Sequence, residues 1–436
     1  MMKALEKRKN LARNILMRKI ICSAFGFFAG MMITCCFYMA VAAQTITSPN
    51  DKSADTTKPK EGDNFRQQRD LIDLVYLVLH KNPDVRLDSS GNKNTRLYFT
   101  VAPIVEYTIA TGFSPGIAGN VAFMTSVKQE TNTSSFLGAI KYTQKKQFII
   151  PIQSSVWTPG NKYNLVGDWR YLNYPQDTYG FGGYTTLDEK YIVSYQLLRL
   201  HELILRNIKK NLYLGAGYQL DYHWGITESG IKPGRITDYE KYGFSKTSAS
   251  SGIVLDLLFD SRKNSINPEG GSFYANVQFN QNFTLLGSNT NWNSILFDLR
   301  KYIKMPLHSV LAFWFYSVFT LGGNPPYLDL PGTGSDTYNN TGRGYEQGRF
   351  IGKKMVDLEA ELRFNISRNK LLGGVIFGNA ESLSELASNK FEVISPAIGF
   401  GLRINFNKFS RTNLCIDYGF GTKGSKGFVG NLGEVF

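Results

Sequence analysis

Four segments in the second half of this chain alternate apolar and polar side chains at every second residue, and that period constrains the fold more than any other feature. On 272–283, Phe273, Ala275, Val277, Phe279 and Phe283 alternate with Ser272, Tyr274, Asn276, Gln278 and Asn280. On 355–366, Val356, Leu358, Ala360, Leu362, Phe364 and Ile366 alternate with Asp357, Glu359, Glu361, Arg363 and Asn365. The same pattern runs through 397–406 (Ile398, Phe400, Leu402, Ile404, Phe406) and 413–420 (Leu414, Ile416, Tyr418, Phe420). Successive side chains of a strand point to opposite faces, so each segment is a strand with one apolar and one polar face. A soluble sandwich uses strands of about 5–6 residues. These segments approach the roughly 9–11 residues that cross a bilayer at a tilt. Three carboxylates and an arginine on one face of 355–366 suit a water-filled lumen, and lipid does not tolerate an open sheet edge. The expected fold class is all-β, a transmembrane β-barrel.

Sixteen strands can be placed between 97 and 436, from 97–110 to 428–436, an even number as expected for an antiparallel barrel. From the sixth strand onward, connections alternate between short (207–209, 261–270, 305–306, 367–370, 407–411) and long (225–248, 321–349, 381–391). Short turns on one side and long loops on the other are what an outer-membrane barrel shows.

Upstream, seven basic residues and one acidic residue within 1–43 precede an apolar run at 20–39, which is followed by the small residues Ala40, Ala42 and Ala43. That order reads as an export signal peptide. An uncleaved membrane anchor is the competing reading. Removing 1–43 takes +6 from the formal charge of +14 and leaves +8. It also removes Cys22, Cys35 and Cys36, so Cys415 stands alone without a disulfide partner and is read as inert. Residues 44–96 read as a polar periplasmic linker (44–65) and one short helix. Leu71, Leu74, Val75 and Val78 fall at i, i+3, i+4, i+7 as a docking stripe before Pro83.

Composition closes other routes. Hydrophobic residues are 42% and charged residues 19%, which excludes intrinsic disorder. A single long apolar run excludes a polytopic helical protein. No metalloprotease helix or nucleophile elbow is present, and His80, His201, His223 and His308 are scattered. Gly180-Phe181-Gly182-Gly183 lacks the βαβ setting of a phosphate loop and reads as a connection after the fifth strand. The chain is therefore read as a non-enzyme with no cofactor and no metal. Its basic excess is assigned to lipid headgroups, and export argues against nucleic acid.

Three motifs add to the pattern. Asp260-Ser261-Arg262 is followed by Asn267-Pro268 and Gly271 at a strand–turn–strand junction. Gly342-Arg343-Gly344-Tyr345 lies in the longest loop. Gly399-Phe400-Gly401-Leu402-Arg403, Asp417-Tyr418-Gly419 and the closing Gly433-Glu434-Val435-Phe436 form the third. In this order over 97–436 they resemble the barrel domain of the bacterial surface-antigen (D15-type) family, the BamA/TamA-type outer-membrane proteins. The resemblance implies a sixteen-stranded barrel in the bacterial outer membrane that assists insertion or translocation of protein or lipid. The alternative is a structural or pore-forming barrel without assembly activity. The implied partners are outer-membrane lipid and client proteins or lipoproteins.

The resemblance also implies that the loop folds into the lumen, where Arg343, flanked by Gly342, Gly344 and Tyr345, pairs with Asp357, Glu359 or Glu361. It implies a seam between first and last strands, weakened by Gly427, Gly430 and Gly433, and an insertion signal at Phe436. Two departures from the family stand out. Asn379, in Phe377-Gly378-Asn379, occupies the place of a usual aspartate. Residues 44–96 are too few for a POTRA domain of the kind that precedes such barrels.

Overall fold

The computed structural model describes residues 68–80, 98–126, 131–243, 245–408 and 410–436. The expected signal peptide (1–43) and the whole of the expected linker (44–65) lie outside them.

Sixteen antiparallel strands follow one another in chain order, each paired with its sequence neighbour. They are β1 (Tyr98–Thr108), β2 (Gly112–Phe123), β3 (Ser134–Tyr142), β4 (Phe148–Trp157), β5 (Tyr163–Thr178), β6 (Tyr191–Lys209), β7 (Leu212–Ser229) and β8 (Thr247–Asp260). The second half comprises β9 (Phe273–Asn282), β10 (Trp292–Met305), β11 (Ser309–Gly322), β12 (Lys354–Asn365), β13 (Leu372–Leu383), β14 (Ser395–Asn407), β15 (Thr412–Gly421) and β16 (Lys426–Leu432). The expected strand count is found; short and long connections alternate from β6 onward except around β9, where 261–272 is longer than 283–291, and at the end, where 408–411 and 422–425 are equal. Strands β5 to β7 reach 16 to 19 residues and rise beyond the bilayer-crossing length.

The cross-strand register carries the period-two pattern around the wall. Phe313, Ala360, Gly378 and Ile398 form one outward row, and Trp314, Glu359 and Asn379 form the adjacent inward row. Ile117, Ile140, Ile204, Leu255, Phe313, Leu358, Ile376, Ile398 and Phe400 are all exposed, spread over eight strands. Facing water, such a belt would forfeit roughly 25 cal/mol for each Å² of apolar surface, so its stable surroundings are hydrocarbon. The inward face is polar and buried, with Asp256, Asp298, Asp357, Glu359, Glu361, Arg363, Arg403 and Asp417 among its members.

Two features differ from expectation. The helix α1 (Leu71–Val78) exists, but its apolar stripe is not the docking face: Leu74 is 38% and Val78 66% exposed. The buried contacts are acidic. Asp73 accepts a 2.8 Å hydrogen bond from Lys408 Nζ, both side chains being fully buried, and Asp70 accepts from the Lys408 amide at 2.9 Å. A desolvated ion pair, which demands a partner once formed, sets the docking in place of the apolar stripe.

The last strand is also shorter than the expected 428–436. It ends at Leu432, Gly433 turns with φ +92°, and 434–436 leave the sheet. The physical cause is the lumen, which offers the Phe436 ring an aromatic partner and the Glu434 carboxylate two arginines.

Candidate functional site: a loop clasp inside the barrel

Residues 323–353, between β11 and β12, fold into the lumen. Their shape is set locally. Asp336 Oδ1 accepts from the amides of Asn340 and Thr341 at 2.7 Å each, and Gly342 (φ +72°) and Gly344 (φ +104°) take left-handed turns that other residues resist. The loop then meets an inner wall cleared by glycine. A Cβ on Gly419 of β15 would stand 2.6 Å from Gly344 Cα, and one on Gly421 would stand 2.5 Å from the Tyr345 ring. On β14, a Cβ on Gly399 would strike Phe377, and one on Gly401 would strike the Asp417 carboxylate. The missing side chains make room for the loop, and for the groups beneath it.

Arg343 descends through this opening and is almost fully buried. It donates to Glu359, to Glu361 at 2.5 Å and to Asp417 at 2.8 Å, and its guanidinium lies 3.8 Å from the centre of the Phe377 ring. Asn379 Nδ2 donates to the Arg343 carbonyl at 2.8 Å. Asn379 therefore serves the clasp by holding backbone rather than charge. Tyr345 Oη donates to the Pro396 carbonyl at 2.7 Å and accepts from the Thr422 amide at 2.9 Å.

Of the three expected acidic partners, Glu359 and Glu361 pair with Arg343, whereas Asp357 does not. Asp357 stands opposite Glu381 on β13, nearer the end of the strand from which the loop enters. Asp417, in the third motif but not expected as a partner, takes its place.

The pairs close into a ring. Arg343 binds Glu361, which binds Arg363. Arg363 approaches Glu434 at 3.7 Å, Glu434 accepts from Arg403 at 2.8 Å, Arg403 donates to Asp417 at 2.5 Å, and Asp417 returns to Arg343. Glu359 hangs from Arg343 alone. Charges alternate around the ring, so each desolvated ion has an opposite neighbour on both sides, the condition under which buried charge is tolerated. Burial sharpens the geometry of such charge-assisted bonds, which fix position as well as charge.

A second loop arginine, Arg349, donates to Thr185 Oγ1 (2.8 Å) and to its carbonyl (2.7 Å) and stacks on Phe350 and Tyr179, tying the loop to the β5–β6 connection. Its place in sequence, six residues past Arg343, gave no signal.

The turn motif lies elsewhere. Arg262 binds both oxygens of Asp260 at 2.9 Å and stacks 4.1 Å from the Tyr274 ring centre. Gly271 turns at φ +97° and its amide donates to the Tyr302 carbonyl, while the Asn267 amide donates to Asn264 Oδ1. Pro268 follows in the same turn. From there 261–272 reaches towards β14–β16: Asn264 Nδ2 donates to the Ser410 carbonyl at 3.0 Å, Arg411 pairs with Glu269, and the Ile266 carbonyl accepts from the Glu434 amide at 2.9 Å. The barrel interior is thus bridged by the 323–353 loop and crossed at the opposite rim by this turn.

The seam between β1 and β16 carries no ladder among the described residues, although the strands are neighbours. A Cβ on Gly427 would meet Ile109 at 2.3 Å, and one on Gly430 would stand 3.7 Å from the Tyr107 carbonyl. Strand β16 pairs with β15 over only seven positions, two of them glycine. Gly433 serves the turn out of the sheet. Phe436, expected as an insertion signal on the last strand, is 2% exposed and stacks on Trp314 in the lumen.

No family model matches the chain, and no curated protein matches it. Solved structures do. BamA from Haemophilus ducreyi lacking POTRA domains 1–3 is similar at TM-score 0.50 and 15% identity, over 77% of this chain and 69% of that one. CdiB from Acinetobacter baumannii is similar at TM-score 0.50 and 12% identity, over 78% of this chain and 60% of that one, so this chain spans less than two thirds of CdiB. At these identities the likeness is one of architecture. The chain folds as a sixteen-stranded antiparallel barrel similar in architecture to those of BamA and CdiB.

Proposed function

We propose that this protein resides in the bacterial outer membrane, after export directed by residues 1–43, and assists insertion or translocation of a protein or lipid substrate without enzymatic chemistry. The observation that carries the reading is the seam. Every consecutive strand pair from β1 to β16 forms a ladder, while β16 and β1 adjoin without one among the described residues. Parting that junction breaks the fewest hydrogen bonds and leaves edges able to pair with another chain. The Arg343 clasp holds the loop in the lumen meanwhile, so that the opening is sideways into the membrane rather than through a pore. Client proteins or lipoproteins are the partners this reading calls for.

One observation favours the alternative of a structural barrel: the lumen is bridged by the loop and crossed at the other rim by 261–272. A disulfide across the seam separates the two readings. The pair Ile109→Cys with Gly427→Cys replaces a tight contact by two small residues. Under oxidising conditions, cells depleted of the native protein should lose client barrels or lipids from the outer membrane and regain them on reduction. If the oxidised, cross-linked protein sustains an unchanged outer-membrane composition, the seam does not open in function.

A further inference from the structure

The residues just past β16 are held in a way that strand termination does not require. Six elements converge on three consecutive residues. Glu434 accepts from Arg403 Nε (2.8 Å, β14) and Asn413 Nδ2 (2.7 Å, β15), and its amide donates to the Ile266 carbonyl (2.9 Å, β8–β9 turn). The Val435 carbonyl accepts from Asn340 Nδ2 at 2.8 Å, from the luminal loop. The Phe436 carbonyl accepts from Arg363 Nη2 at 2.6 Å on β12, and its ring stacks on Trp314 of β11 with centroids 5.2 Å apart. Main-chain groups are bonded at all three positions, and side chains are selected at the first and third. That is the pattern by which a protein reads an extended peptide: backbone bonds for affinity, pockets for identity. Arg363 Nη1, buried beside this contact, has no hydrogen-bond partner, so the recess keeps a donor that the segment does not use.

We propose that this luminal recess is a binding site for an extended polypeptide segment of acidic–aliphatic–aromatic sequence, which the chain fills in cis with residues 434–436. The inference needs only the recess and stands or falls independently of any assembly activity. Occupancy is coupled to the clasp, because Glu434 belongs to the charge ring of Arg343 and Asn340 belongs to the same loop. An incoming segment of the same pattern displaces residues 434–436, breaks the ring at Glu434 and frees the end of β16.

Cys415 supplies a native reporter. It is the free cysteine of the described residues, is buried, and its Sγ donates to the Gly433 carbonyl at 3.1 Å beneath the segment. Full-length protein in detergent is treated with a maleimide, and modification at Cys415 is followed by peptide mapping. The double variant Glu434→Ala, Phe436→Ala should be modified at least about tenfold faster, because charged bonds and a stacked ring hold the covered state. The synthetic peptide of residues 430–436 should slow modification of that variant back toward the unaltered rate, and its scrambled form should not. No protection by the peptide in a variant that keeps heat-modifiable migration overturns the inference. Should the variant fail to fold, unaltered protein is exposed to the same peptide with a photo-reactive residue in place of Phe436. Cross-linking to β11 around Trp314 supports the site, and its absence at saturating peptide refutes it.

Discussion

Replacing Arg343 by methionine should release the luminal loop, and the partners of each carboxylate fix the size of the effect. Glu361 keeps Arg363 and Asp417 keeps Arg403, but Glu359 is left buried with its cation gone. Removing one partner of a buried pair costs roughly 3–5 kcal/mol, against about 0–1 kcal/mol for an exposed pair. The cation–π contact with Phe377 adds about 0.5–2 kcal/mol. Because the cost concentrates on one orphaned carboxylate, Glu359→Gln in the same molecule should recover much of it. The two changes should show a coupling of about 2–4 kcal/mol. In the ratio of seated to unseated loop that is roughly 30- to 700-fold. The assay is amide hydrogen exchange at Asn340 and Thr341, whose amides are held by Asp336 only while the loop keeps its shape, measured in all four members of the cycle. The reasoning is refuted if Arg343→Met accelerates exchange by less than about fivefold, or if Glu359→Gln restores nothing.

Three further outcomes follow from the same geometry. Gly419→Ala places a methyl against the Gly344 backbone and should unseat the loop and raise single-channel conductance, whereas Gly230→Ala, which meets nothing within 4 Å and strains only its own left-handed turn (φ +72°), should leave conductance unchanged. Lys408→Met should detach α1 at a cost of roughly 3–5 kcal/mol, read as faster proteolysis within 68–80, and adding Asp73→Leu should recover docking; Val78→Ser on the exposed face should change little. Asp329 of the luminal loop is pushed up to about 8, first by burial and then by Asp221, while the Ser250 hydroxyl and Arg199 oppose the shift. The seated loop then binds a proton that the released loop, with an ordinary value of 3.8, gives up. Seating should weaken as pH rises through the window between these values and level off above it. The slope of loop exchange against pH should be shallower in Asp329→Asn; an equal slope would refute the assignment to Asp329.

The amino-acid sequence alone determined the wall. A period of two on 272–283, 355–366, 397–406 and 413–420 leaves each strand no choice of face, because a shift of one residue would turn every leucine inward and every carboxylate toward lipid. Strand number and the alternation of short and long connections come from the same local signals. What meets inside the wall was decided by closure. Asp357, Glu359 and Glu361 share a face and a chemistry, and only the depth to which the loop descends separates the two that bind Arg343 from the one that does not. Asp417 and Glu434 lie 74 and 91 residues from Arg343 and become neighbours only once β12, β14 and β15 are laid side by side. The docking face of α1 and the departure of 433–436 from the sheet share that cause. An apolar stripe and an alternating strand are local preferences of order 1 kcal/mol, and buried ions that must find partners outweigh them.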